Sequence, residues 1–254
     1  MSTRVTRTLS LLAGVAAAVA LAACGSPDAL KITGTAAKGN ALSGGSVTAT
    51  CATGTASSTV ASDGSYRVDV VDGAGPCLLK VTSGSSTFYS VTTGTGSSFV
   101  ANVTPLTNLF VEYLRNLPGA SSGTATPEVW FANSAARNLL ASTTEVQTRA
   151  VNGFLPYIRT AAGLTTAQLP ASLEFLSTSF VTDPTTSVQD AVLEILSGNR
   201  GGATTTLFNA TTGAPSGAAA TTALQANAAT QPEVTAAGTG ASGGTGSGGS
   251  GGGN

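Results

Sequence analysis

The chain has 254 residues, of which 11 are basic, 12 are acidic and 32 are glycine, and its formal net charge is −1. Because basic and acidic residues are nearly balanced, nothing indicates a nucleic-acid-binding surface, which would be strongly basic, and no nucleic-acid partner is expected. The sequence contains no histidine, which excludes Ser-His-Asp and Cys-His nucleophilic systems and zinc sites of the HExxH type.

Residues 1–23 have the layout of a secretory signal peptide. Arg4 and Arg7 precede an uncharged, alanine-rich run that ends at Ala23. This run is shorter than the stretch of about 20 apolar residues that a transmembrane helix needs. The sequence therefore predicts export, with removal of the segment.

The end of this run, Leu21-Ala22-Ala23-Cys24, resembles the lipobox of bacterial lipoproteins. The resemblance implies cleavage before Cys24, a diacylglyceryl group on its sulfur and an acylated new N-terminus, so that the membrane partner is contacted through this lipid. Gly25 is not Asp, so the inner-membrane retention signal is absent and the outer membrane of a diderm bacterium is the expected location. Cleavage would leave 9 basic and 12 acidic residues, a net charge of −3. An ordinary signal peptide followed by a chance cysteine is the alternative.

A β-sandwich is predicted over residues 29–103, after a lipid tether at 24–28. Strand-like alternation of apolar and polar residues occurs in several short runs separated by turn signals such as Asp63-Gly64. The runs cover residues 29–35, 46–52, 55–61, 65–71, 77–81, 88–92 and 99–103.

Two cysteines remain after Cys24. Cys51 and Cys77 each share a strand face with apolar residues, so both sulfurs are expected to point into the core. In an exported protein these two residues are a predicted disulfide. Two free thiols or a metal-binding pair are the alternatives, although two sulfurs without histidine make a poor metal site.

Several segments of the β-rich part carry a family resemblance. The segments are Ile32-Thr33-Gly34, residues 41–49, Ala61-Ser62-Asp63-Gly64-Ser65-Tyr66-Arg67-Val68 and Leu79-Lys80-Val81. Together they resemble a carboxypeptidase-regulatory-like domain, a prealbumin (transthyretin-like) β-sandwich, over residues 29–103. The resemblance implies a non-catalytic module that packs against a partner domain, serves as a surface stalk or contacts carbohydrate. This chain lacks the family's proline in the first turn and adds the cysteine pair.

An α-helical module is predicted over residues 104–200, because the apolar spacing changes to that of helices. Helix starts are indicated at Thr104-Pro105, Thr126-Pro127, Ser142–Glu145, Thr165–Gln168 and Ser187. Gly153 and Pro156 are expected to kink or break the third helix, and Gly198 to end the last.

Two stretches near and within the helical part carry a second resemblance. Residues 102–107, and Asp183 together with residues 190–194, are similar to surface lipoproteins of Burkholderia-type proteobacteria. This resemblance implies no activity.

Residues 201–254 are predicted to be a disordered tail, because the stretch becomes rich in Gly, Ser, Thr and Ala and has few large apolar residues. A spacer associated with the cell wall or with glycans, O-glycosylated on Ser and Thr, is the alternative.

No enzyme activity, cofactor or metal is predicted. Residues 248–252 match the nucleophile-elbow pattern, but neither a strand nor a helix is predicted beside them. Scattered carboxylates leave room for paired-carboxylate chemistry or a calcium site near Asp63, Asp69 or Asp72. A Ser-Lys dyad would have to use Lys31, Lys38 or Lys80.

The predicted function is that of a lipid-anchored cell-envelope protein with a non-catalytic structural or interaction role and an envelope protein as partner. A glycan- or peptidoglycan-binding surface module is the alternative, and an enzyme of unknown class is a third. The aromatic candidates for sugar stacking are Tyr66, Tyr89, Trp130 and Tyr157. Core packing is the competing explanation for each, and Tyr89 is expected to be the most exposed.

Overall fold

The computed structural model describes most of the chain after the tether. It covers residues 29–120, 126–171, 174–183, 185–203, 205–209, 215–216 and 218–234. The predicted signal peptide, Cys24 and residues 235–254 lie outside the described residues. Within the described ranges, none of the helices is long and apolar enough to cross a bilayer.

In the described part of the chain, seven strands form two sheets. In the three-stranded sheet, β1 (Leu30–Thr35) lies between antiparallel β4 (Ser65–Val70) and parallel β7 (Ser98–Val100). The four-stranded antiparallel sheet has the order β3-β2-β5-β6. Its strands are β2 (Ser46–Thr53), β3 (Thr55–Thr59), β5 (Ala74–Ser83) and β6 (Ser86–Val91).

The strands follow the period-two pattern that predicted them. In β4, Tyr66, Val68 and Val70 are buried, whereas the residues between them are exposed. Side chains from both sheets meet in one hydrophobic cluster, which includes Ile32 of β1 and Leu79 of β5. The coarser part of the prediction, a β-rich part that precedes a helical part, is thereby confirmed.

Helices follow the strands, as predicted. They are α1 (Pro105–Arg115), α2 (Pro127–Ala132), α3 (Ser134–Ala141), α4 (Thr143–Arg149), α5 (Leu155–Ala162), α6 (Val188–Leu196) and α7 (Ala218–Ala229). Thr104 caps α1 by accepting a hydrogen bond from the Thr107 amide at 3.1 Å, with Pro105 at the first helical position. The helices enclose a second hydrophobic cluster, to which Leu78 and Val91 of the sheet contribute.

The expected break near Gly153 and Pro156 is replaced by a π-helical turn. Residues Ala150–Phe154 form this turn between α4 and α5, and the flanking residues keep right-handed helical dihedrals. A proline inside a helix lacks the amide for the usual bond to the residue four before it. The wider π turn accommodates this loss, and the chain therefore stays helical through the site.

The helix predicted after Thr165 does not form. Its capping interactions are present, since the Thr165 amide donates to Gln168 Oε1 at 2.9 Å and the Gln168 amide to Thr165 Oγ1 at 3.3 Å. However, none of the described residues from Gln168 to Phe180 is helical. Pro170 explains the result, because a proline disfavours the helical conformation of the residue before it.

The expectation of a disordered tail from residue 201 is wrong over residues 218–234. Alanine-rich α7 forms there, and Leu224 and Ala228, four residues apart, are buried in the helical cluster. The segment after α7 is also held in place. The Val234 amide donates to the Pro118 carbonyl at 2.9 Å, and Arg149 Nη1 donates to the Pro232 carbonyl at 2.8 Å.

A buried amide fastens the helical part to the sheets. Asn102 is fully buried, and its Oδ1 accepts a hydrogen bond from the Thr35 amide at 3.1 Å. Its Nδ2 donates to the carbonyl oxygens of Thr178 at 2.7 Å and Phe175 at 3.2 Å, and to Gln189 Oε1 at 3.2 Å. One side chain thus joins β1, the segment before α6 and α6 itself.

Candidate functional site

The two predicted disulfide cysteines lie side by side. Cys51 of β2 and Cys77 of β5 are direct cross-strand partners, and their sulfurs are 2.04 Å apart, which is a disulfide bond length. Both residues are buried in the cluster between the sheets. Because reactive cysteines need solvent access, this pair has the setting of a structural cross-link.

A polar cluster on the outer face of the four-stranded sheet is the candidate functional site. Lys80 of β5 and Tyr89 of β6 are cross-strand partners, and Glu128 of α2 reaches both of them. Glu128 Oε1 accepts hydrogen bonds from Tyr89 Oη at 2.7 Å and from Lys80 Nζ at 3.0 Å. Lys80 Nζ also lies 5.7 Å from the centre of the Tyr89 ring, within range of a cation–π contact. We call these three residues the Tyr89 cluster.

The electrostatics of the Tyr89 cluster favour a stable ion pair. Partial burial acts to raise the pKa of Glu128, but the hydrogen bonds from Tyr89 and Lys80 outweigh it and lower this pKa to about 2. The same hydrogen bond with Glu128 raises the pKa of Lys80. Both groups are therefore charged at neutral pH and are poorly matched to proton transfer there. The cluster places a charge pair and a phenol on a partly exposed surface.

Hydroxyl side chains lie on the same face of the sheet as the Tyr89 cluster. This hydroxyl face consists of Ser46, Thr48, Thr50, Thr55, Ser57, Thr59, Thr82 and Thr87. All are exposed or half-buried, and neighbouring strands are linked by a contact of 3.0 Å between Thr48 Oγ1 and Ser57 Oγ. The result is a polar surface in which Lys80 and Glu128 supply the charge.

The other aromatic candidates are placed differently. Tyr66 is buried and donates to the Ala101 carbonyl, and Trp130 is buried and donates from Nε1 to the Ala120 carbonyl at 2.9 Å. Both serve the cores. Tyr157 is half-buried beside the helical cluster. Tyr89 is half-buried too, rather than fully exposed, because it packs partly against the helical cluster.

Two acidic candidates of the β-rich part, Asp63 and Asp69, have local roles, whereas the basic candidate Lys80 belongs to the Tyr89 cluster. Asp63 accepts hydrogen bonds from the Ser65 amide at 2.9 Å and hydroxyl at 2.7 Å, which fixes the β3–β4 turn. Asp69 pairs with Arg67 at 2.9 Å on the surface. Among the described residues, no three His, Cys, Asp or Glu side chains are grouped to hold a metal ion.

Sequence reasoning missed two ionisable residues. Glu128 lies in the first turn of α2, where an acidic residue is common, and nothing near it in sequence indicates that it pairs with Lys80, which lies 48 residues earlier. Asp190 is fully buried on α6, and neither carboxylate oxygen has a hydrogen-bond partner among the described residues. Burial, together with the charges of Glu194 and Asp183, raises the pKa of Asp190 to about 6.

Comparison with known proteins leaves the family open. The chain matches no protein-family model, no curated protein and no solved structure.

Proposed function

We propose that the chain is a lipid-anchored protein of the bacterial outer membrane, with a non-catalytic structural or interaction role in the cell envelope. The observation that carries the proposal is the lipobox-like stretch Leu21-Ala22-Ala23-Cys24, which lies only a few residues before the fold. The first strand begins at Leu30, and six residues of extended chain reach about 20 Å at most. A lipid on Cys24 would therefore keep the β-rich part at the membrane surface.

In this proposal the β-rich part is a prealbumin-like β-sandwich of the carboxypeptidase-regulatory type. Two features support it: the two sheets share one core, and antiparallel pairing predominates within them. In this proposal the disulfide ties β2 to β5 at the centre of the larger sheet.

Substitution of Cys24 tests the anchor. We expect the wild-type chain to fractionate with the outer membrane and to incorporate a radiolabelled fatty acid, and Cys24→Ala to lose both properties. Gly25→Ser, which keeps the cysteine, is the matched control. Gly25→Asp should move the labelled protein to the inner membrane. A Cys24→Ala protein that keeps its label and its membrane location would overturn the proposal.

A second candidate function, binding of glycan or peptidoglycan, is favoured by the Tyr89 cluster. Sugar recognition uses aromatic rings together with fixed hydrogen-bonding groups, and Tyr89 and Glu128 supply both beside the hydroxyl face. We expect purified peptidoglycan or cell-wall polysaccharide to retain the wild-type protein. Tyr89→Ala and Glu128→Gln should weaken retention, whereas Tyr157→Ala should not. Equal retention of all four proteins would contradict this candidate.

A further inference from the structure

We propose that a cavity between the β-rich and helical parts binds a small cationic amphiphile, a molecule with an apolar body and an amine head. The cavity has a volume of about 290 Å³ and is partly open to solvent. Four segments enclose it: the end of β6, β7, the helical turns around Val146, and the segment around Phe175. Ligand pockets in proteins are commonly found at such junctions.

The cavity wall is part apolar and part polar, and Thr92, Thr93, Ser98 and Ser177 are among its polar residues. Phe99 reaches it from the β-rich core, and Val146 and Phe175 belong to the helical core. Val151 and Leu176 also line it and are only half-buried. An apolar ligand would remove these partly exposed apolar surfaces from water, which favours its binding.

The π-helical turn contributes directly to the wall. Ala150 and Val151, its first two residues, both line the cavity. An irregular turn of this kind is less regularly bonded than the helix around it, and such turns are frequent at functional sites. Here the irregular turn faces the cavity.

Charge selects the head group. Glu174 is the one charged residue that lines the cavity in the described part of the chain, and it forms no ion pair with another described residue. Its side chain is exposed. Thr143 and Gln147 line the cavity and are exposed as well. A protonated amine would pair with the carboxylate and donate to these oxygens, whereas a carboxylate head would be repelled.

The test uses N-phenyl-1-naphthylamine, a neutral dye that fluoresces in apolar surroundings, with the full chain carrying Cys24→Ala so that no acyl group competes. We expect saturable fluorescence at one dye per chain. Octylamine should displace the dye at a concentration at least tenfold lower than octanoate does. Glu174→Gln should remove that difference while leaving dye binding within twofold.

Two variants locate the dye. Val151→Trp fills the cavity from the π turn, and Gln147→Trp obstructs it from an exposed position, so at least one is expected to fold. Either folded variant should weaken dye binding at least tenfold. Val129→Trp, at an exposed valine of α2 that does not line the cavity, should bind as the parent does. Unsaturable dye binding, or undiminished binding by the folded filled variants, would overturn the site. Equal displacement by octylamine and octanoate would overturn the cationic class.

Discussion

The Nδ2 atom of Asn102 lies 2.7 Å from the carbonyl oxygen of Thr178, although 76 residues separate them in the chain. The contact is one of four that the Asn102 side chain makes, and together they satisfy both its amide oxygen and its amide nitrogen. A buried amide with all its bonds made fixes the geometry around it, because any other arrangement leaves polar groups without partners.

Replacement of Asn102 should destabilise the fold strongly. Asn102→Ala removes the acceptor for the Thr35 amide and the donor for the Thr178 carbonyl, so we expect the free energy of unfolding to fall by about 2–4 kcal/mol. Chemical denaturation monitored by Trp130 fluorescence measures the change. Asn40→Ala, at an exposed asparagine, should change stability by less than about 0.5 kcal/mol. Similar losses for the two variants would show that the Asn102 network contributes little.

Asp190 should make the protein less stable as the pH rises through weakly acidic values. Its pKa is about 6 in the folded chain, above its ordinary value of 3.8, so the folded state binds more protons between these two pH values. Stability therefore falls from about pH 4 to pH 6, and the loss persists at neutral pH. Asp190→Asn should raise the free energy of unfolding at pH 7.5 by about 1–3 kcal/mol and change it little at pH 4.

Denaturation midpoints at the two pH values check this expectation. Asp72→Asn, at an exposed aspartate, is the control and should shift both midpoints equally. An Asp190→Asn protein with the same pH dependence as the wild type would show that another group titrates.

The disulfide should account for a large share of the stability of the β-rich part. Cys51 and Cys77 are 26 residues apart in the chain, and a cross-link across a loop of that size stabilises by roughly 3–4 kcal/mol in the chain-entropy model. The double variant Cys51→Ala/Cys77→Ala should lose that amount without exposing a lone thiol. Reduced wild-type protein should unfold at the same denaturant concentration as this variant. Two thiols that react with a maleimide in native exported protein would refute the cross-link.

Gly153 is required by the packing of the π turn. A Cβ at Gly153 would overlap the hydroxyl of Tyr113, which is buried and has no hydrogen-bond partner among the described residues. Gly153→Ala should therefore destabilise by about 1–3 kcal/mol, although alanine is the better helix former. Tyr113→Phe removes the hydroxyl with which the alanine Cβ would overlap.

The two substitutions together form a double-mutant cycle. Tyr113→Phe alone should cost little, since no hydrogen bond is lost, and it should restore most of the stability lost in Gly153→Ala. Thermal unfolding of the four proteins measures the coupling. Additive effects would place the cause of the glycine requirement elsewhere.

Strands and helices that are marked by local residue patterns could be predicted from the sequence, whereas contacts between segments far apart in the chain could not. The strand of residues 65–70 and the helix after Thr104 were predictable because alternation and capping are local. The Thr165 capping box was misleading because Pro170, a few residues later, prevents the helix. Helix α7 was not predicted, because its alanine-rich sequence has no stripe of large apolar residues. Among its described side chains, Leu224 and Ala228 are the ones buried in the helical cluster.

In the candidate site, too, some positions follow from local patterns and others depend on contacts between distant segments. The inward positions of Cys51 and Cys77 follow from alternation, but their pairing depends on the register of β2 and β5. The Tyr89 cluster depends on where α2 docks on the sheet, which places Glu128 over two strands. No spacing rule in the sequence encodes that docking.

Hydrogen bonds from Arg149 to the Pro232 carbonyl and from the Val234 amide to the Pro118 carbonyl hold the end of the described chain against the helical part. The chain therefore enters and leaves the fold at two defined places. One is at β1, where the tether enters, and the other is beside Pro118, where Val234 is held. Tension applied between the membrane and anything bound beyond Val234 would have to cross from the sheets to the helices. Asn102 joins β1 to the helical part on that route, so in the proposed lipid-anchored protein its buried hydrogen bonds would carry part of the load.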